Sequence, residues 1–170
     1  MSLPPTAEQT PGSPASPGRQ PTLRIISHNR FEKPEPDLVY DVRQVPNPPR
    51  DARTLHTGLS RNVQEDLRGD ERYRDMVDMA ESQIREEMGR RIERAEAGGG
   101  GSGPSVLSVG CMCGSGHHRS VAMAEELRRR EWPENWRVEV SHRDVTAEVR
   151  DRKSMTREQM RRLGEEVEGG

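Results

Sequence analysis

The sequence predicts an α/β domain, a small three-layer fold around a mainly parallel central sheet of about four or five strands. Three observations carry that reading. Short apolar runs alternate along the chain with stretches of helical periodicity. The strand-like runs are near-continuous, as in Leu38-Val39-Tyr40, which suits strands buried on both faces. One run, Val106 to Val109, enters a small-residue turn and then a helical pattern.

The elements follow in order. Residues 1–21 are rich in Pro, Ser, Gly and Thr and read as a disordered tail. Thr22 to Ser27 reads as a first strand, and Glu32 to Asp37, with two prolines, as a loop. Leu38 to Arg43 reads as a second strand. Pro46, Pro48 and Pro49 keep the next segment extended. Ser60 is placed to cap a helical pattern over Asn62 to Arg94, which Gly69-Asp70 splits in two. Tyr73, Val77, Ala80, Ile84, Met88 and Ile92 recur on one face of its longer part. The Gly-rich stretch 97–104 is a flexible loop. A third strand is expected over Ser105 to Val109, a helix over His118 to Glu131 ended by Pro133, and a fourth strand over Trp136 to Ser141. His28 and His56 read as loop residues, and Trp132 and Trp136 as packing. Residues 22–145 thus form the domain, and 146–170 a charged surface helix or tail.

Composition narrows the classes. Of 170 residues, 29% are hydrophobic and 33% charged, so a packed core over the whole length is excluded. The net charge of -2 gives no global basic field for nucleic acid. Of 27 basic residues only Lys33 and Lys153 are lysine. Arginine forks suit phosphate recognition, though a codon bias of the source gives the same count. Cys111 and Cys113 sit too close for an ordinary bridge, which points to a reducing, cytoplasmic location. No apolar run is long enough to span a membrane, and no secretory signal begins the chain. No cofactor is implied. A homo-oligomer is compatible with the sequence.

The chemistry concentrates at the strand–loop–helix 110–120. Such a junction turns backbone N–H groups and the positive end of a helix dipole toward one point, which suits an anion. Cys113, Gly114, Ser115, Gly116, His117, His118, Arg119 and Ser120 are the candidate ligand-binding residues, with His118 and Arg119 adding side-chain donors. In a parallel sheet, ligands bind outside the carboxyl ends of the strands. Ser27-His28-Asn29, Asp41 with Arg43, the 113–119 loop, and His142-Arg143 all fall at such ends. Asp41 and Arg43 either line the site or form an ion pair that buttresses it. Asn47 either joins the site or shapes its proline turn.

The same segments carry a family resemblance. Ile26-Ser27, Asp41-Val42-Arg43 followed by Pro46-Asn47-Pro48, Thr57-Gly58-Leu59, Gly110 to Val121, and His142-Arg143-Asp144 together resemble the C-terminal domain of RapZ-type proteins over residues 22–145. The resemblance implies a ligand-sensing domain that takes an aminosugar phosphate such as glucosamine-6-phosphate, or a similar anion, near the loop. It also implies a part in small-RNA binding, as an adapter for an RNase. The family's other half is a P-loop nucleotide-binding domain. No Gly-x-x-x-x-Gly-Lys-Ser/Thr occurs in this chain, so it is expected as a standalone domain without nucleotide hydrolysis. The family's loop lysine is His117 here, its threonine Gly114, one loop glycine Ser115, and the glycine of its first segment Asn29.

The loop admits rival chemistries. Cys113-x-x-Gly-x-x-Arg119 has the spacing of cysteine-dependent phosphatases, with Cys113 as nucleophile and Arg119 on the transferring phosphoryl. Met112 stands where such loops carry histidine, and no acid loop precedes it. Cys111, Cys113, His117 and His118 do not have a standard zinc spacing. The expected partner is therefore a phosphorylated small molecule, with RNA as the alternative and no membrane. An RNA arm in 146–170 is diluted by interleaved acids.

Overall fold

The computed structural model describes residues 20–31, 34–98 and 105–168. The tail expected over 1–21 lies outside these apart from Gln20 and Pro21, and the Gly-rich loop lies mostly outside them. The element order is β1 (Thr22–His28), β2 (Leu38–Asp41), a 3₁₀ turn (Val42–Gln44), α1 (Arg50–Leu55), α2 (Arg61–Gly69), α3 (Glu71–Glu96), β3 (Val106–Met112), α4 (Arg119–Arg128), β4 (Arg137–His142) and α5 (Ala147–Glu168).

The fold is α/β, as the sequence predicts, with one four-stranded sheet in the order β2-β3-β1-β4. All three strand pairings are parallel. Leu23, Ile25, Leu107, Val109 and Cys111 share one face in register and are fully buried. Against that face sit Tyr73, Val77, Ala80, Ile84 and Met88 of α3 and Ala122, Met123, Ala124 and Leu127 of α4, in one continuous core. Each large side chain buried there is worth about 1.5–3 kcal/mol. The other face is more open: Arg24 and Glu139 form an ion pair at 3.5 Å, and Val39 stays exposed.

The division between α2 and α3 falls where Gly69-Asp70 predicts it. The Asp70 carboxylate caps α3, accepting from the N–H groups of Arg72 and Tyr73 at 2.9 and 3.4 Å. Ser60 is the N-cap of α2, but its side chain makes no capping bond.

Four boundaries differ from expectation. β3 runs three residues further than expected, to Met112, because parallel pairing with β1 continues from Gly110 through Met112. β2 stops at Asp41, whose carboxylate accepts from Arg43 N and turns the chain into the 3₁₀ turn. The six-residue α1 has no apolar stripe to betray it, and contains no buried residue. His28 is not a loop residue: it ends β1 and is 1% exposed, because Cys113 N pairs to its carbonyl and carries the ladder one step past the loop entrance.

The exits of adjacent strands leave to opposite faces. β3 feeds α4, which packs on the core face against β1, β3 and β4. β1 feeds the segment toward Pro36, which meets Gly110 on the other face, where a Cβ would lie 2.8 Å from Pro36 Cγ. The carboxyl ends of β1 and β3 are thus the switch point of an open parallel sheet, the place where such folds form a crevice. The 113–118 loop fills it.

Candidate anion site at the strand ends

The loop descends from β3 and closes on α4. Cys113 N donates to His28 O at 3.2 Å, and the Cys113 thiol, 2% exposed, lies 3.0 Å from Ser120 Oγ. Gly116 turns the loop with φ +75, a backbone conformation that favours glycine. A Cβ there would lie 2.6 Å from Asp144 Oδ2 and 2.8 Å from Asn29 N. His118 is the N-cap of α4, and no side chain caps that helix. No acidic residue occupies its first turn either, so no side chain of the helix itself offsets the positive end of α4.

Arg119 does not point freely into solvent. Its Nη1 donates to the carbonyls of Arg43 at 3.2 Å and Val45 at 2.5 Å, pinning the 3₁₀ turn onto α4. Asp41 and Arg43 pair at 2.6 Å, and the Arg43 guanidinium holds the Asp41 carboxyl below the usual carboxylate range. Burial holds the Arg119 guanidinium below its ordinary value, against the attraction of the Asp41 carboxylate. Cys113, Asp41, Arg43, Arg119 and Ser120 therefore gather on the β2–β3 side. Asn47 is exposed on the proline turn beyond, and that turn is tied to α1 by Arg53 Nε donating to Pro48 O at 2.9 Å.

A second group gathers on the β1–β4 side. Asn29 N donates to Asp144 Oδ2 at 2.7 Å, and Arg143 bonds both Asp144 and Asn29. His117 closes this side. Burial and the charge of Lys153 push its imidazole below its ordinary value, against a hydrogen bond to the Asp144 backbone.

Two predicted residues turn away from the crevice. His118 Nε2 faces Arg53 O at 3.0 Å and Lys153 Nζ at 3.4 Å. Burial and Lys153 push its pKa down to about 4, so it is neutral at physiological pH. His142 points under the sheet edge. Its Nδ1 lies 2.9 Å from Ser27 Oγ and its Nε2 3.0 Å from Glu125 Oε1. Burial works against the charge on Glu125, but Arg128 and His142 together hold its carboxyl below the ordinary range. Ser27 is fully buried, so this Ser–His–Glu chain braces β1, β4 and α4 rather than presenting a nucleophile.

Sequence reasoning missed Glu125, whose position within a helical pattern reads as solvated surface, and named Gly58 only within the Thr57-Gly58-Leu59 segment, not as a residue of the site. Gly58 N donates to His117 O at 2.8 Å, and a Cβ on Gly58 would lie 2.1 Å from His118 O. Its signal was the Thr-Gly-Leu turn, a place where close backbone approach calls for glycine. Cys111 points into the core, where burial drives its thiol pKa far up. With His118 turned to α1, the Cys111, Cys113, His117 and His118 set does not converge, and no group of three or more metal-ligating side chains exists among the described residues.

These features define a parallel α/β domain whose switch point holds a glycine-bearing loop and an uncapped helix N-terminus. The chain belongs to the RapZ C-terminal domain family, whose model matches residues 22–146. Among curated proteins, a nucleotide-binding protein of Citrifermentans bemidjiense is 37% identical over 120 residues, 65% of this chain and 36% of the relative. One from Thermus thermophilus is 37% identical over 132 residues, 74% of this chain and 44% of the relative. One from Dinoroseobacter shibae is 30% identical over 126 residues, covering 74% and 39%. The chain spans less than half the length of these relatives. Among the described residues, no helix is long and apolar enough to cross a membrane.

Proposed function

We propose that the domain binds a phosphorylated small molecule, an aminosugar phosphate or similar anion, at the 113–120 loop. The observation that carries this reading is the uncapped α4 N-terminus standing at the carboxyl ends of the parallel strands. The N–H groups of the loop and of the first turn of α4 hold the phosphate. Arg119 clamps the 43–45 backbone against that point and lends its charge to the site. Asp41, Arg43 and Asn47 form one wall; His117 and Arg143 form the other. His118 and His142 act behind the wall, fixing the loop to α1 and the strand ends to α4. The curated relatives are called nucleotide-binding proteins, a name compatible with a phosphate-bearing ligand.

The alternative RNA-adapter reading draws on the arginines of α5. Two of them are already neutralised, Arg162 by Glu158 at 2.7 Å and Arg161 by Glu165 at 3.7 Å, which favours the small-molecule reading. A phosphatase reading would need Cys113 to meet substrate, and its thiol is buried against Ser120. The test is a calorimetric titration of wild type and Arg119→Ala with glucosamine-6-phosphate, adenosine monophosphate and inorganic phosphate. Saturable binding weakened by the substitution is expected. Equal behaviour of the two proteins would overturn the reading.

A further inference from the structure

We infer that a second anion site lies behind the loop, in the cleft between the α1–α2 turn and α5, and that it takes a small phosphate ester with a short apolar body. The cleft has a volume of about 360 Å³. Its charged lining is entirely basic: Arg150, Lys153 and Arg157 of α5, with no carboxylate among the lining residues. These three follow at spacings of three and four, so they share one face of the helix and span about 10 Å of its axis.

Two of the three cations have no acidic partner among the described residues. Neither Arg150 nor Arg157 forms an ion pair there, in contrast to Arg161 and Arg162 one turn further on. Lys153 is spent instead on the end of α1, donating to the carbonyls of Arg53 and Thr54. That contact seats α5 against α1 and fixes the cleft's width. The unneutralised field is visible at His56, on the opposite wall. Burial, then Arg157, then Lys153 push its imidazole below the ordinary value.

The opposite wall adds donors and an apolar surface. Ser60 lines the cleft at the N-terminus of α2, its hydroxyl unused for capping, and no acid lies in the first turn of that helix. Leu55 and Leu59 supply the apolar part, Leu59 being 40% exposed. Cations on one side, a free helix start and hydroxyl on the other, and leucines between them match an anionic head on a small hydrophobic body. This site shares no residue with the 113–120 loop, and His118, which touches both Arg53 and Lys153, forms the partition between them.

The test is a titration of the whole chain with phenyl phosphate, followed by amide chemical shifts, on wild type, the double variant Arg150→Ala/Arg157→Ala, Leu59→Ala and Arg119→Ala. Wild type is expected to shift at residues 55–61 and 150–157. The double variant should bind there at least about tenfold more weakly, the order of one lost charge-assisted contact. Both arginines are exposed, so its circular dichroism should match wild type. Leu59→Ala should weaken phenyl phosphate but not inorganic phosphate. Arg119→Ala should leave these shifts intact, which separates failure of this site from failure of the loop site. Absence of shifts at 55–61 and 150–157, or shifts unchanged by the double variant, would overturn the proposal.

Discussion

The guanidinium of Arg119, the first residue of α4, donates from Nη1 to the backbone carbonyl of Val45 at 2.5 Å. This contact joins residues 74 positions apart and locks the 3₁₀ turn after β2 to the helix after β3. The side chain that looks from sequence like a phosphate contact is thus also a strut. Arg119→Ala is expected to lower stability by about 1–3 kcal/mol, the range for leaving part-buried carbonyls unpartnered. Arg119→Lys, with one donor point in place of a fork, should recover only part of that loss. Urea unfolding midpoints measure both.

The Ser27–His142–Glu125 chain should matter for stability more than for binding. Removing the imidazole by His142→Ala leaves the buried Ser27 hydroxyl without its partner and Glu125 held by Arg128 alone, with an expected cost of about 1–3 kcal/mol. Glu125→Gln keeps the shape and should cost less. The depressed carboxyl pKa sets the sign of the pH effect. The stability it contributes is present above the unfolded carboxylate range and is lost as pH falls through the folded value. The acid limb of the unfolding curve should therefore flatten in Glu125→Gln relative to wild type.

His118 supplies a second pH signature in a separate window. Its folded pKa of about 4 lies below the ordinary 6.5, so the unfolded chain binds the extra proton first. Its contribution is complete above pH 6.5 and is lost as pH falls toward 4. The amplitude should be on the order of 1–2 kcal/mol after discounting for solvent screening. Melting temperatures of wild type and His118→Asn, compared across that window, check it: the slope should be shallower in the variant.

Gly58 and Gly116 should be intolerant of any side chain. Gly58→Ala would drive a methyl to 2.1 Å from His118 O and 2.5 Å from Ala122 N, both backbone atoms. Gly116→Ala meets Asp144 and also keeps a left-handed φ. Each should destabilise by about 2 kcal/mol or more, whereas Gly114→Ala, with open space at its Cβ, should be near neutral. Parallel thermal melts distinguish these outcomes.

Cys113 should behave as a buried thiol. Titration with a thiol-reactive chromophore should label it only as the protein unfolds, since it is 2% exposed and bonded to Ser120. Rapid labelling of the folded chain would revive the nucleophile reading.

Much of this arrangement is legible in the sequence. The split of the central helix at Gly69-Asp70 follows from capping chemistry, the α3 stripe from its periodicity, and the four strand-end clusters from their places in an alternating chain. Side-chain direction is not legible. Arg119, His118 and His142 stand at the predicted place, yet burial and local carbonyls decide where each points. α1 escaped because six residues with no buried face have no pattern to read, and the role of Gly58 because the need for a glycine arises only when α4 docks beside it.

The most direct test of the central claim is an amide chemical-shift titration of the full chain with glucosamine-6-phosphate. Binding through loop and helix N–H groups predicts the largest shifts over residues 113–120, with smaller ones at Asp41 to Asn47 and at Asn29. Shifts confined to other parts of the chain, or none at millimolar ligand, would contradict it.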